Sequence, residues 1–143
     1  MQATTITLGT TPGALRLIYA YERTNTDSPP LSSLELGELR AFTGAKIVYA
    51  LTAPKVAGTV AQTNYFDYRV DESMEDARRP AKAHFGVPTA AVEIKVVDAG
   101  EYRTVEGARP MGEIVAKGPA VLGGNANLGV MGTFREDGTL AYV

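Results

Sequence analysis

The residues of this 143-residue sequence that could do chemistry are few and scattered. His84 is the only histidine, so neither a histidine metal cluster nor a Ser-His-Asp set is available. A lone histidine is most often structural, although this one could line the edge of a pocket. Asp67 and Asp71 flank Arg69 in a charged run, a pattern that is typical of a solvated face. These residues predict no catalytic group and no metal site.

A glycine-rich stretch, Gly123–Gly129, could cradle a phosphate through backbone N–H groups. It lacks the Lys-Ser/Thr pair that ends a phosphate-binding loop, and it does not open a convincing helix. An ordinary loop is therefore the favoured interpretation. An earlier stretch, Thr7–Gly13, also lacks the lysine and lies too close to the next strand.

Tyr49 and Thr52 lie at the end of an apolar run, Lys46–Leu51, which is typical of a buried strand. An aromatic residue inside such a strand is most often part of the core. A hydroxyl just after a strand commonly makes a cap or turn hydrogen bond. The residue types alone therefore favour structural roles for both.

The elements around this run predict a strand, a helix and a second strand. Leu15–Tyr21 is a short apolar strand. The helix is predicted over Leu31–Phe42, capped by Ser32 or Ser33, stopped by Gly44, and with its apolar face formed by Leu31, Leu34, Leu39 and Phe42. A parallel pair of strands joined by a helix is the expected result.

Further along, the charged stretch Asp67–Lys82 is predicted to be an exposed loop, and β signals begin at Phe85. Ala91–Asp98 alternates like a half-buried strand, and Arg135–Gly138 predicts the turn of a closing hairpin. We expect one partial domain, with a strand-helix-strand part over 1–66, a charged loop over 67–84 and a β-rich part over 85–143. The ending on an apolar strand suggests truncation.

Composition narrows the class of protein. Hydrophobic residues make up 45% and charged residues 21%, which is ordinary for a globular domain. A net charge of -2 gives no reason to expect nucleic-acid binding. No apolar run is long enough to span a bilayer, and the N-terminus does not resemble a signal peptide. With no cysteine in the sequence, we expect a cytoplasmic protein.

A family resemblance comes from segments that occur in order along the chain. Gly112–Val121, with the sequence GEIVAKGPAV, resembles the G-E-I-(V/L)-x-(K/R)-G-P-x-V signature of adenylate-forming enzymes. His84–Asp98 resembles the G-x-P-x-P-x-x-E-(I/V)-K-(I/V)-V-D segment of long-chain acyl-CoA synthetases. Tyr49–Ala53 resembles Y-G-x-T-E, and Leu128–Leu140 resembles T-G-D-I-G-x-x-x-x-D-G-x-L. Leu15–Ile18 looks like the strand before a Gly-Gly-Ala loop of that family.

The resemblance implies a fold between α/β and α+β: a βαβ remnant followed by a twisted, mainly antiparallel, β-barrel-like subdomain of the acyl-CoA synthetase fold. It also implies a fragment or degenerate member of a fatty-acid–CoA ligase. Such an enzyme uses ATP to convert a carboxylate to an acyl-adenylate and transfers the acyl group to CoA. We do not expect this chain to be active alone, because the phosphate loop and the lid domain of the family are not recognisable in it.

The resemblance also assigns site residues. Tyr49 would stack on adenine and Thr52 would contact the α-phosphate of ATP or AMP. Ala53 stands where the family has the glutamate that helps to hold Mg²⁺, and Val130 stands where it has the aspartate that binds the ribose. A methyl group cannot ligate a hard cation. The predicted site is therefore a nucleotide site with no catalytic residue and no metal ligand.

The implied partners are a fatty acid or another carboxylate and the remaining domains of a parent enzyme. The resemblance also allows a peripheral position on an organelle membrane, within a cytoplasmic location. Exposed strand edges could also support a homodimer. The alternative is a non-catalytic module, derived from the same family, that binds a nucleotide, an acyl group or another protein.

Overall fold

A computed structural model of the protein describes residues 16–24, 30–67, 74–76, 79–80, 83–105 and 109–143. In chain order the described elements are β1 (Leu17–Arg23), α1 (Ser33–Thr43), β2 (Lys46–Thr52), β3 (Thr59–Gln62), β4 (Met74–Asp76), β5 (Arg79–Pro80), β6 (Val87–Pro88), β7 (Glu93–Val97), β8 (Met111–Lys117), a 3-10 turn (Leu122–Gly124), β9 (Asn125–Phe134) and β10 (Leu140–Tyr142). The first sheet has the order β1-β2-β3-β6, the second has the order β10-β9-β8-β7, and β4 pairs with β5.

The predicted βαβ unit is confirmed, because β1 and β2 pair in parallel with α1 between them. The hydroxyl of Ser32 accepts the backbone N–H of Glu35 at 3.2 Å, and the Glu35 carboxylate accepts the backbone N–H of Ser32 at 2.8 Å. These two bonds form a capping box. The hydrogen bonds from Ser32 hold the pKa of Glu35 below its ordinary value. Gly44 ends the helix in a left-handed conformation and donates to the carbonyl of Arg40.

The buried face of α1 differs from the predicted one. Ser33 and Leu36 are buried, whereas Leu34 is 48% exposed and Phe42 is 57% exposed. Positions three apart lie on the same side of a helix, so Ser33, Leu36 and Leu39 follow one stripe toward the sheet. The prediction that Leu34 and Phe42 belong to that stripe was wrong.

The second sheet is an antiparallel sheet that curls into a half-barrel. Its strand β8 contains the Gly112–Lys117 part of the signature, with Ile114 and Ala116 buried in the core and Glu113 on the opposite face. A side chain at Gly112 would overlap the backbone carbonyl of Val97 in β7. The first glycine of the signature is thus required by the close approach of two strands. Together the two sheets and the single described helix confirm the predicted fold class.

An aromatic contact joins the two sheets. The Phe85 ring stacks on Tyr49 of β2 at 5.1 Å and meets Tyr142 of β10 edge-on at 4.9 Å. The backbone N–H of Phe85 donates to the carbonyl of Leu140 at 2.8 Å, and the N–H of Leu140 donates to the carbonyl of Gly86 at 2.8 Å. Phe85 is fully buried, so the sheets share one continuous core.

The face of the first sheet that points away from the shared core carries exposed apolar side chains. Leu17, Tyr19 and Tyr21 of β1 are exposed there, together with Val87 of β6. We call these four side chains the outer face. Among the described residues, no helix is long and apolar enough to cross a membrane.

Two loop predictions need correction. The stretch predicted to be an exposed loop contains the β4–β5 pair, and Asp67 at its start is buried. Arg69 and Asp71 lie outside the described residues, as does Thr7–Gly13. The second correction concerns Gly123–Gly129: only its first residues form a turn, and from Asn125 onward the backbone pairs with β8 as β9.

Candidate functional site

A pocket of about 240 Å³ opens where β2 ends and the two sheets meet. Its walls come from the residue after β1, from the segment after β2, from β8 and from β9; they are Thr24, Ala53, Pro54, Lys55, Glu113, Asn127, Leu128 and Gly129. We call this cavity the β2 pocket. In open α/β sheets, ligands bind beyond the carboxyl ends of the strands. The β2 pocket occupies such a position.

One wall of the pocket is formed by a bulge in β9. Glu113 pairs with Met131 and Val115 pairs with Asn127, so Leu128, Gly129 and Val130 lie opposite Ile114 alone. Gly129 has a positive φ of 70°, which a glycine adopts without strain. The Asn127 side chain accepts the backbone N–H of Gly129 at 2.8 Å. Bulges often redirect side chains beside functional sites, and this one turns Leu128 and Gly129 into the pocket wall.

The segment after β2 is joined by backbone hydrogen bonds to the connection between β8 and β9. The N–H of Leu122 donates to the carbonyl of Lys55 at 2.8 Å, and the N–H of Ala57 donates to the carbonyl of Ala120 at 2.8 Å. The Lys55 ammonium lies 3.5 Å from the carbonyl oxygen of Asn127. The positively charged Lys55 side chain therefore lines the pocket and lies close to β9.

Tyr49, predicted to stack on adenine, lies in the core behind the pocket. Only 1% of its surface is exposed; one ring face packs on Phe85, and its hydroxyl donates to the Glu22 carboxylate at 2.7 Å. Burial, followed by the hydrogen bond and negative charge of Glu22, raises the pKa of Tyr49. A nucleotide base could stack on this ring only by displacing its present neighbours. The stacking role stays a prediction.

Thr52, predicted to contact the α-phosphate, is half-buried at the end of β2. Its hydroxyl donates to the backbone carbonyl of Glu22 at 3.0 Å, and its own carbonyl accepts the N–H of Thr24 at 3.0 Å. Tyr49 and Thr52 thus both contact the end of β1. Their common partner, Glu22, was missed by the sequence reasoning. The alternation of Ile18, Ala20 and Glu22 on the inner side of β1 is the signal that could have found it.

Ala53 and Val130 are the two positions at which an apolar residue replaces a family acid according to the resemblance. Ala53 is buried in the wall of the β2 pocket, and Val130 packs against the core. The Ala53 side chain has no oxygen for Mg²⁺, and the Val130 side chain has no acceptor for a ribose hydroxyl; the roles that the resemblance gives these two positions stay predictions. Within the described parts of the chain, no group of three or more acidic or histidine side chains could hold a metal ion.

His84 and Asp67 form a buried pair away from the β2 pocket. The Nδ1 atom of His84 accepts the backbone N–H of Gly86 at 3.1 Å, and its Nε2 atom lies 3.5 Å from an Asp67 carboxylate oxygen. Since Nδ1 accepts, the proton of a neutral ring lies on Nε2, facing Asp67. Asp67, but not His84, lines a second cavity of about 290 Å³. The geometry gives His84 a structural role, and Asp67 is not part of a solvated face.

Known structures share this fold. A luciferase-like enzyme of the mealworm Zophobas morio matches with a TM-score of 0.63 and 14% identity, over 90% of this chain and 30% of that one. Unliganded O-succinylbenzoate CoA synthetase (MenE) of Bacillus subtilis matches with a TM-score of 0.60 and 18% identity, over 92% of this chain and 27% of that one. The anthranilate CoA ligase AuaEII in complex with anthranoyl-AMP matches with a TM-score of 0.65 and 16% identity, over 90% of this chain and 24% of that one.

No protein-family model matches the sequence, and no curated protein sequence matches it. The chain spans about a quarter to a third of the length of the structures above. At such low sequence identities, these structural matches establish the fold of the chain and nothing about its activity. The described chain therefore has the fold of one segment of the adenylate-forming enzymes, in which a βαβ unit packs on a curled antiparallel sheet.

Proposed function

We propose that this chain is a fragment or degenerate member of a fatty-acid–CoA ligase, and that its β2 pocket binds an adenylate, such as AMP or an acyl-adenylate, without performing the activation. The observation that supports the proposal is the composition of the pocket. Ala53 ends the segment that resembles Y-G-x-T-E, and Gly129 belongs to the segment that resembles T-G-D. Two segments that are far apart in sequence, and that resemble the nucleotide-binding motifs of the family, meet at one cavity.

Catalysis by this chain alone is not part of the proposal. Attack of a carboxylate on the α-phosphate of ATP requires cationic groups and a closing element that balance the developing charge. Among the described residues of the β2 pocket wall, Lys55 is the one cation, and Ala53 provides no metal ligand. The acyl acceptor CoA and the fatty-acid substrate enter the proposal through the resemblance, and a cytoplasmic location enters it through the lack of cysteine in the sequence.

Tyr49 and Thr52 have an indirect role in this proposal. Their hydroxyls contact Glu22, and the carbonyl of Thr52 holds the N–H of Thr24, a residue of the pocket wall. We assign both as positioning residues that fix the end of β1 against the end of β2. Direct contact of either with the nucleotide is the stronger form of the same hypothesis.

Calorimetric titration with AMP, ATP and a non-hydrolysable fatty acyl-adenylate analogue tests the proposal. We expect weak binding of AMP that is almost unchanged by Mg²⁺. Lys55→Ala should weaken it, since it removes the cation of the described pocket wall, which would attract the phosphate. Lys117→Ala is the matched control, because Lys117 is exposed on β8 and does not line the pocket. Absence of heat with all three ligands would refute the nucleotide site.

A second candidate function, protein interaction, is favoured by the outer face. Tyr21 is 65% exposed and Tyr19 is 50% exposed, on a strand that is at the edge of the described first sheet. Exposed aromatic side chains on an edge strand are typical of interaction sites or aggregation hazards. Sedimentation velocity of the wild-type chain and of a Tyr19→Lys, Tyr21→Lys double variant tests it. A concentration-dependent oligomer that the double variant abolishes supports it, and a monomer in both samples argues against self-association.

A further inference from the structure

The two edges of the described first sheet differ in how well they are protected. At one edge, β6 is two residues long and contains Pro88, which has no N–H to offer to a further strand. At the other edge, β1 has seven residues and pairs with β2 without a bulge. Natural proteins usually shorten, charge or bend an edge strand, because a bare edge is a template for another strand. Between Leu17 and Tyr21, β1 has none of these protections.

The edges of the second sheet are also better protected than β1. The strand β10 is three residues long, and β7 carries the exposed charges of Glu93 and Lys95. Among the described strands of the two main sheets, β1 is therefore the one long apolar edge. Its inward side chains are only half-buried, whereas the inward side chains of β2 are buried. This difference is expected for a strand that has a neighbour on one side only.

The backbone of β1 shows which groups face the open edge. The carbonyl of Arg16 and the N–H of Thr24 both bond backbone groups of the β2 strand. Alternate residues of a strand bond the same parallel neighbour, so the even-numbered residues of β1 are the ones bonded to β2. The N–H and C=O groups of Leu17, Tyr19 and Tyr21 therefore point to the open edge.

We propose that two copies of this chain pair antiparallel through β1, with Tyr19 opposite Tyr19 of the second copy. The open-edge groups allow only registers that place odd-numbered residues opposite one another. Charge selects among these registers. In the proposed one, Arg16 lies opposite Glu22 of the second copy, and the twofold axis repeats this pair. Opposite charges attract across an antiparallel pair, and a shift by one allowed register in either direction would remove both charge pairs.

Glu22 is suited to this pairing, and the assembly closes at two copies. The described donors to the Glu22 carboxylate, the Tyr49 hydroxyl and the Leu31 N–H, are both neutral, so the carboxylate keeps its charge for Arg16 of the second copy. The outer face then continues across the axis, with Leu17 of each copy beside Tyr21 of the other. Because the pairing is isologous and β6 is blocked by its proline, no further copy can be added along the first sheet.

This inference deepens the second candidate function, since it names the partner of the outer face, and it does not depend on the adenylate site. Cross-linking tests the register. The sequence has no cysteine, so a single introduced cysteine forms a disulfide only with that of another copy. Tyr19→Cys places two cysteines opposite each other, with Cα atoms about 5.5 Å apart, within the range that a disulfide spans.

Tyr21→Cys is the matched control for the cross-link. It changes the same residue type on the same face, but in the proposed register its two cysteines are about 13 Å apart along the strand axis. We expect mild oxidation to form the covalent dimer of Tyr19→Cys about tenfold faster than that of Tyr21→Cys, measured on non-reducing gels. Both tyrosines are exposed, so neither substitution disturbs the core.

Arg16→Glu tests the charge pair by sedimentation velocity. It places two carboxylates opposite each other at both symmetric positions, so dimerisation should weaken by about tenfold. Lys117→Glu makes the same charge change at an exposed position of β8 and should leave dimerisation unchanged.

The outcomes separate this pairing from the broader proposals. A wild-type chain that stays monomeric at all concentrations overturns the pairing, together with self-association through the outer face, and leaves the adenylate site untouched. If the wild-type chain self-associates but the two cysteine variants cross-link at equal rates, the proposed register is refuted while self-association stands. The same conclusion follows if Arg16→Glu dimerises as tightly as the wild type.

Discussion

The hydrogen bond from Tyr49 to Glu22 gives a direct measure of how the end of β1 is held. Tyr49→Phe removes the hydroxyl that donates to the Glu22 carboxylate at 2.7 Å. The ring remains, so the stacking contact with Phe85 at 5.1 Å is retained. The substitution therefore isolates one bond between the first two strands.

The magnitude follows from the surroundings of Glu22. A hydrogen bond to a charged group contributes about 1.5–3 kcal/mol. Glu22 is only half-buried and keeps the N–H of Leu31 as a donor at 3.3 Å, so part of the loss is offset by water. We expect a decrease in the free energy of unfolding of about 1–2 kcal/mol, which for a chain of this length lowers the midpoint temperature by about 3–8 °C.

Urea unfolding monitored by far-ultraviolet circular dichroism measures this change, provided that the slope with denaturant is the same in both chains. Tyr142→Phe is the matched control, because the Tyr142 ring also packs on Phe85 but its hydroxyl has no hydrogen-bond partner among the described residues. We expect the control to stay within about 0.5 kcal/mol of wild type. Equal stabilities of Tyr49→Phe and Tyr142→Phe would refute the reasoning.

Further predictions concern pH, packing and metal dependence. Burial, together with the charge of Glu22, raises the pKa of Tyr142 to about 12 from an ordinary value of 10.0, and the pKa of Tyr49 is raised as well. The folded chain holds these two phenol protons more tightly than the unfolded chain does. The contribution of both tyrosines to the free energy of unfolding should therefore be constant up to about pH 10 and decrease above it. Urea unfolding midpoints measured between about pH 9 and 11 test this expectation. Gly112→Ala should lower the free energy of unfolding by about 3 kcal/mol or more, because the added methyl group would overlap the Val97 carbonyl. At Gly44 an added methyl group meets no other atom, so Gly44→Ala should lower it by only about 1 kcal/mol, the cost of the positive φ. Similar decreases in the melting temperatures of the two variants would contradict this prediction. Ala53→Glu should make AMP or ATP affinity depend on Mg²⁺, and a calorimetric titration in which Mg²⁺ has no effect on the variant would show that residue 53 does not face the phosphates.

The elements that could be predicted from the sequence are those with local causes. The helix has its own start and stop signals at Ser32, Glu35 and Gly44, and β2 is a continuous apolar run between two polar ends. The signature segment predicted β8 because the alternation of its side chains between two faces can be read from neighbouring residues alone. Family resemblance then added the curled sheet, which no single segment specifies.

The errors arose where a distant contact decides the outcome. Leu34 and Phe42 are apolar but lie on the side of α1 that the first sheet does not reach, and only the packing of the helix reveals this. Asp67 belongs to a charged run in the sequence, yet it is buried beside His84, which comes from another segment. Gly129 looked like part of a loop, whereas its positive φ serves a bulge within a paired strand. The role of Glu22 likewise depends on Tyr49, a residue of the neighbouring strand.

The connectivity of the two sheets has a consequence for the order in which the chain folds. The strands of the second sheet follow one another as a meander, so each pairing closes a short loop. The first sheet needs β1 to find β2 across a helix, and it needs β6 to return from beyond the β4–β5 pair. Because loop-closure entropy grows with separation, contacts of low sequence separation form first. We therefore expect the meander to nucleate folding, and the β2 pocket, which requires both sheets, to be assembled last and lost first.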